Sequence, residues 1–255
     1  MVSVPNQLTI PPSDYIAYHL QKGKPNQPGV IFLGGFMSDM NGTKATALEA
    51  FCREQNVTFL RFDYMGHGQS SRSFTEGTIG LWKDNAVTVL RELTQGPQIL
   101  VGSSMGGWLM LLVALSQPQR ICGLIGIASA PDFTEDLIWN LLSATQKQQL
   151  MDQGVYDLAS EYNAAPYPIT EALITEGRNH LLLHHPIALD MPVHLIHGAR
   201  DEDVPAHISQ TLYDNLRTSD KQLTLIEAGD HRLSSPADLA IICQALHKMV
   251  TLCTR

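Results

Sequence analysis

Residues 99–110, ILVGSSMGGWLM, set two adjacent serines between a β-branched run and a long apolar segment. The pattern G-x-S-x-G fits this stretch in one register only: Gly102, Ser103, Ser104, Met105, Gly106. With a strand-like run before it and a helix-like run after it, the motif reads as a tight strand–turn–helix junction. Small residues are needed two places either side of the central serine, because side chains there would strike the neighbouring strand or helix. Ser104 then projects at the carboxyl end of its strand, where open α/β sheets place their sites. The bland alternative is a plain glycine turn, and the rest of the chain must decide between the two.

Outward from that stretch the same rhythm recurs. Short apolar runs fall at 29–33 (GVIFL), 57–62 (VTFLRF), 98–102 (QILVG), 121–128 (ICGLIGIA), 192–198 (PVHLIHG) and 222–228 (QLTLIEA). Helix-like segments lie at about 42–55, 77–94, 105–117, 205–217 and 236–252. Strands alternating with helices of this length predict an α/β fold with a mostly parallel central sheet and helices on both faces. YIAYHL, at 15–20, predicts an antiparallel edge strand. Ser235 is the expected N-cap of the last helix, with Pro236 in its first turn. The alternation stops over about 131–190, which predicts a small cap inserted into a single domain spanning 1–255. Within it, 133–153 and 170–184 read as helical and 154–169 as irregular or hairpin-like.

Composition narrows the partners. The net charge of -8 argues against nucleic acid or an anionic membrane surface. No apolar run is long enough to span a bilayer, so no integral membrane association is expected. Cys52, Cys122, Cys243 and Cys253 form no CxxC pair and are expected to be buried free thiols. The start of the chain shows neither a signal peptide nor an Arg-rich amphipathic leader, so a cytoplasmic location is expected.

A serine hydroxyl needs a base, and the base needs an acid to orient it. Downstream of Ser104, HGARDEDVP (197–205) ends one predicted strand and DHRLS (230–234) follows the last. The order Ser, Asp, His and the placement at strand ends point to Ser104, Asp201 and His231 as the catalytic set. Asp201, four residues after His197, is preferred to Asp203. The oxyanion donors are expected to be the Met105 N–H, at a helix start, and the Phe36 N–H, after the Gly34–Gly35 turn. His180, His184 and His185 cluster in sequence, but no third-ligand spacing supports a metal site, and no metal or organic cofactor is expected. His67 and His197 read as turn residues bonded to backbone or near the pocket mouth, His194 as structural, and Asp63 as a turn stabiliser. Trp82, Trp108 and Trp139 read as core or cap packing; Trp139 and Met151 alternatively face an acyl pocket.

These residues together resemble the α/β-hydrolases over nearly the whole chain. More narrowly, PGVIFLGGFMSDMNGTKA (28–45), RFDYMGHGQSS (61–71), GSSMGGWLML (102–111), LIGIASA (124–130), HHPI (184–187), HGARDEDVP and DHRLS are similar to the abhydrolase-domain palmitoyl-protein thioesterase and mycophenolic acid acyl-glucuronide esterase family. The animal members of that family are mitochondrial, and without a leader this chain looks like a bacterial-type relative. The resemblance implies a serine hydrolase of carboxylic esters or thioesters, with Ser104, Asp201 and His231 as triad and Phe36 and Met105 as oxyanion donors. Its partner would be a small-molecule or acylated substrate. Lactonase, C–C hydrolase and perhydrolase chemistry, or a non-catalytic ligand-binding scaffold, are the alternatives on the same fold.

Overall fold

The computed structural model describes residues 4–25, 27–159 and 166–254. The chain opens with β1 (Asn6–Ile10) and β2 (Asp14–Gln21), then β3 (Gly29–Leu33), α1 (Thr43–Gln55), β4 (Phe59–Phe62) and α2 (Ile79–Leu93). β5 (Gln98–Ser103), α3 (Met105–Ser116) and β6 (Ile121–Ile127) follow. Next come α4 (Ala144–Gln153), β7 (Val155–Leu158), β8 (Tyr167–Thr170) and α5 (Glu171–Gly177). β9 (Val193–Gly198), α6 (His207–Asn215), β10 (Lys221–Ile226) and α7 (Pro236–Cys253) complete it.

Eight strands form one sheet in the order β1-β2-β4-β3-β5-β6-β9-β10. From β4 to β10 every neighbouring pair is parallel, while β2 runs antiparallel to both β1 and β4. The run at 15–20 is therefore antiparallel as expected, but it does not sit at the edge. β1 takes that place, paired from Asn6 opposite Tyr18 to Ile10 opposite Asp14. Its sequence NQLTI is half polar and mostly exposed, so it carries no apolar run by which to be noticed.

The central strands are buried on both faces, and their alternate residues go to two separate cores. Ile31, Leu33 and Leu100 point to the side covered by α2, α3 and α6. Val30, Phe32, Ile99 and Val101 point to the side of α1 and α7. α3 is buried from Met105 to Ala114, which explains why its sequence is apolar all round rather than striped. α7 begins as expected: the Asp238 N–H donates to Ser235 Oγ, the Ser235 N–H donates back to Asp238 Oδ2, and Pro236 stands in the first turn.

The segment between β6 and β9 differs from its expected shape. Residues 133–153 do not make one helix: a π turn at 134–138 and a 3-10 turn at 139–141 precede α4. Ser143 starts α4 afresh with a capping box to Gln146. The stretch 154–169 is a hairpin, β7 pairing with β8, and its tip at 160–165 lies outside the described residues. The helix expected over 170–184 ends at Gly177. Beyond it the chain is pinned from below, since Asp132 accepts the Leu182 and Leu183 N–H at 2.8–3.0 Å, and a tertiary bond of that kind leaves no sequence period. Trp108 Nε1–H donates to the His180 carbonyl at 3.0 Å, tying α3 to the same segment. Among the described residues, no helix is long and apolar enough to cross a membrane.

Candidate active site

Ser104 stands between β5 and α3 with φ 55° and ψ -121°, a conformation that non-glycine residues seldom adopt. Two close approaches enforce it. A Cβ on Gly102 would lie 2.3 Å from the Gly106 carbonyl oxygen, and one on Gly106 would lie 2.1 Å from that of Leu33. The turn is also held by the Ser104 N–H donating to the Ile127 carbonyl at 2.9 Å, and by the Ala130 N–H donating to the Ser104 carbonyl at 3.1 Å. Strand, turn and helix thus leave the Ser104 hydroxyl at the carboxyl end of the sheet.

The loops after β9 and β10 bring the other two residues to it. His231 Nε2 lies 3.1 Å from Ser104 Oγ, and His231 Nδ1 lies 2.8 Å from Asp201 Oδ2. Asp201 is buried, and its Oδ1 accepts the N–H groups of Val204 at 2.8 Å and Asp203 at 3.1 Å. Burial alone would raise its carboxyl, but hydrogen bonds from His197 and His231 outweigh that and hold it well below the usual carboxylate range. A carboxylate is therefore present whenever the imidazole needs one. The Asp203 carboxylate also comes within 4.8 Å of a His231 nitrogen, yet it is exposed and lines the cavity wall.

The hydroxyl opens into a cavity of about 720 Å³, within the range usual for small-molecule sites, roughly 300–1,000 Å³. One wall is apolar and comes largely from the 131–190 segment, with Phe133, Leu137, Ile138, Leu158 and Ile169. Lys44, Glu202, Asp203 and Arg232 add charged groups to the lining. Phe36 and Met105 both line the cavity beside Ser104. The Met105 N–H is the first of α3 and so has no intrahelical acceptor. The loop bearing Phe36 is braced by Asp63, whose Oδ1 accepts the Met40 N–H at 2.7 Å and whose Oδ2 accepts the Gln69 N–H at 2.8 Å. Asp63 stabilises a turn as expected, and it also anchors the neighbouring loop.

Other expectations needed adjustment. His67 is buried, but neither ring nitrogen makes a well-formed hydrogen bond; the ring packs edge-on against Tyr64, Phe74 and Trp82. His180 pairs with Glu176, whereas His184 lies beside Asp132 and Asp136. Trp139 and Met151 do not line the cavity: Lys147 and Arg178 lie over the Trp139 ring, and Met151 is exposed. Trp82 and Trp108 are fully buried core, as read. The four cysteines are free thiols; Cys52 is buried and the other three half-buried.

Two contacts near the site leave little trace in the sequence. His197 is wholly buried and reaches Asp201 Oδ2 at 3.1 Å, a contact foreshadowed only by its spacing of four in HGARD. Lys44 lines the cavity and donates to the carbonyl of Arg232, next to His231. Burial pushes its amine down to about 8, against the attraction of Asp230.

The comparisons agree with this architecture. The family described as alpha/beta hydrolase fold matches residues 30–172, more than half of the chain. The palmitoyl-protein thioesterase ABHD10, mitochondrial, of Bos taurus is 38% identical over 244 residues, covering 95% of this chain and 79% of the bovine protein. The structure of alpha/beta hydrolase domain-containing protein 10 from mouse superposes with a TM-score of 0.90 at 37% identity, over 98% of this chain and 99% of the mouse chain. A crystal structure from Agrobacterium vitis S4 gives a TM-score of 0.92 at 36% identity, over 96% and 98% of the two chains. By family match, identity and shared fold, the chain is an enzyme of the α/β-hydrolase family.

Proposed function

We propose that the chain is a serine hydrolase that cleaves carboxylic esters or thioesters through an acyl-enzyme. The observation that carries this reading is the continuous relay Ser104 Oγ–His231 Nε2–Nδ1–Asp201 Oδ2, at 3.1 and 2.8 Å, opening into a half-apolar cavity. His231 takes the Ser104 proton as the hydroxyl attacks the carbonyl, and Asp201 stabilises the imidazolium. The Phe36 and Met105 N–H groups receive the oxyanion. His231 then protonates the leaving alcohol or thiol, and water attacks the acyl-enzyme by the same route. No step in this scheme calls on a metal or organic cofactor.

The acyl chain occupies the apolar wall built by the 131–190 segment, which acts as a cap on a single domain. The leaving group faces Lys44, Glu202 and Asp203 on the His231 side. The substrate is a small ester or an acylated molecule, and the names of the bovine and other mammalian relatives favour including long-chain thioesters among those tested. A cytoplasmic location belongs to this reading, although those relatives are named mitochondrial. The test is covalent labelling with a fluorophosphonate together with hydrolysis of p-nitrophenyl esters. Ser104→Ala should lose both; labelling that persists at another residue would overturn the assignment. A panel crossing acyl length with oxygen and sulfur leaving groups then identifies the preferred bond.

A further inference from the structure

His197 is the next-to-last residue of β9, four residues before Asp201, and its ring is fully buried. Every polar atom of that ring is engaged. Nε2 faces the Val204 carbonyl at 2.8 Å and Asp201 Oδ2 at 3.1 Å, while Nδ1 lies 2.7 Å from the hydroxyl of Ser209 on α6. Both neighbours of Nε2 are acceptors only, so Nε2 must carry hydrogen. In the neutral ring Nδ1 then accepts the Ser209 hydroxyl proton, and the tautomer is locked from both ends. The consequence falls on Asp201. Its Oδ1 is already held by two backbone N–H groups, and its Oδ2 is shared between His197 and His231.

We propose that His197 is a positioning residue for the catalytic pair: its Nε2–H, fixed by Ser209 and the Val204 carbonyl, draws on the Asp201 charge and so restrains how strongly Asp201 binds the His231 imidazolium. The inference rests on the reading of Ser104, His231 and Asp201 given above. The backbone bonds to Oδ1 keep the carboxylate in place when His197 is removed, so the main loss is of charge sharing rather than of geometry. His231 should then become more basic. The other charged groups around the pair are Lys44 on α1, Glu202 and Asp203 on the Asp201 loop, Asp230 and Arg232 on the His231 loop, and Asp238 on α7. All are unchanged by substitution at 197, so they cancel in the comparison.

The test follows His231 directly. Protein labelled with ¹⁵N-histidine is titrated by NMR, and the acid limb of kcat/KM for p-nitrophenyl butyrate is measured alongside. His197→Leu should raise the His231 titration and the acid limb together by about half a unit to one unit. His197→Gln, whose amide restores a donor near the Nε2 position, should bring both back toward the wild-type values. Ser209→Ala removes one hydroxyl, disturbs the core least, and should shift both in the same direction by less. Unmoved titration in both the Leu and the Ala variants, or a downward shift, overturns the proposal, because a merely structural histidine alters stability but not the pair. Hydrolysis retained by Ser104→Ala would instead refute the catalytic reading, while the NMR titration would still report whether His197 acts on His231.

Discussion

Ser104 sits in a backbone conformation that would be costly for a lone serine, on the order of 1–3 kcal/mol, and the strain is held by Gly102 and Gly106 on either side. The choice between the two aspartates of the 201–203 turn can be tested with equal economy. In Asp201→Asn the side-chain oxygen would go to the two backbone N–H groups that now hold Oδ1, leaving an NH₂ group facing His231 Nδ1 and His197 Nε2. Donors would then meet donors, and His231 would adopt the tautomer that presents N–H to Ser104. Asp201→Asn should therefore lower kcat by about 10³–10⁴-fold on p-nitrophenyl butyrate, with secondary structure retained. Asp203→Asn should fall far less, since its carboxylate is not the one bonded to the imidazole. A larger loss at 203 than at 201 would reverse the assignment.

The β5–α3 junction works because strand and helix approach to backbone contact. Gly106 lies against the carbonyls of Leu33 and Gly34, so β3, β5 and α3 meet at one point beneath Ser104. Gly106→Ala would press a methyl group against two backbone oxygens that cannot rotate away. We expect it to cost roughly 3 kcal/mol, read as a lower urea midpoint with an unchanged slope, and to lower fluorophosphonate labelling at the same time. The 131–190 segment is braced from within by Asp132 to two loop amides and by Arg178 to Glu135 at 2.7 Å. It joins the rest through Glu176, which accepts the Gly80 N–H at 3.0 Å, and through Ile138, Leu142, Leu173 and Ile174, buried in the core shared with α2 and α3. Phe133, Leu137, Ile138, Leu158 and Ile169 of that segment line the space beside Ser104, which is why the cavity is half apolar.

The buried aromatic cluster links the Phe36 side of the cavity to the pH response of the fold. Phe36 packs edge-on against Phe74, Trp82, Phe133 and Tyr167, and His67 is enclosed by Tyr64, Phe74 and Trp82. Burial pushes the His67 imidazole down to about 4, against a small opposing effect from the Met65 carbonyl. A histidine lowered in this way binds fewer protons folded than unfolded between its folded value and about 6.5. Its contribution is therefore complete above that window, and stability falls as the pH drops through it. His67→Phe should remove roughly 2 to 3 kcal/mol of the loss between pH 7 and pH 4.5, measured by urea unfolding at both values. Equal pH dependence in the two proteins would mean that His67 is accommodated charged. Asp201, lowered rather than raised, contributes only to the loss at still lower pH, below the ordinary carboxylate value near 3.8.

The parallel sheet, the turn at Ser104 and the order of Ser104, Asp201 and His231 were legible along the chain. Each rests on local signals: buried strands as short apolar runs, a glycine spacing, acidic and histidine loops at strand ends. The edge strand β1 was not legible, because an exposed five-residue strand buries too little to leave an apolar pattern. The broken helices of the 131–190 segment escaped for another reason, since Asp132 and Trp108 settle that path through bonds to residues 50 and 72 positions away. The same holds for the pairing of His197 with Ser209 and for Lys44 at the cavity. Residue order can say which groups possess the chemistry. Distances of 2.8 and 3.1 Å between side chains 30 and 127 positions apart exist only once the sheet brings its strand ends together.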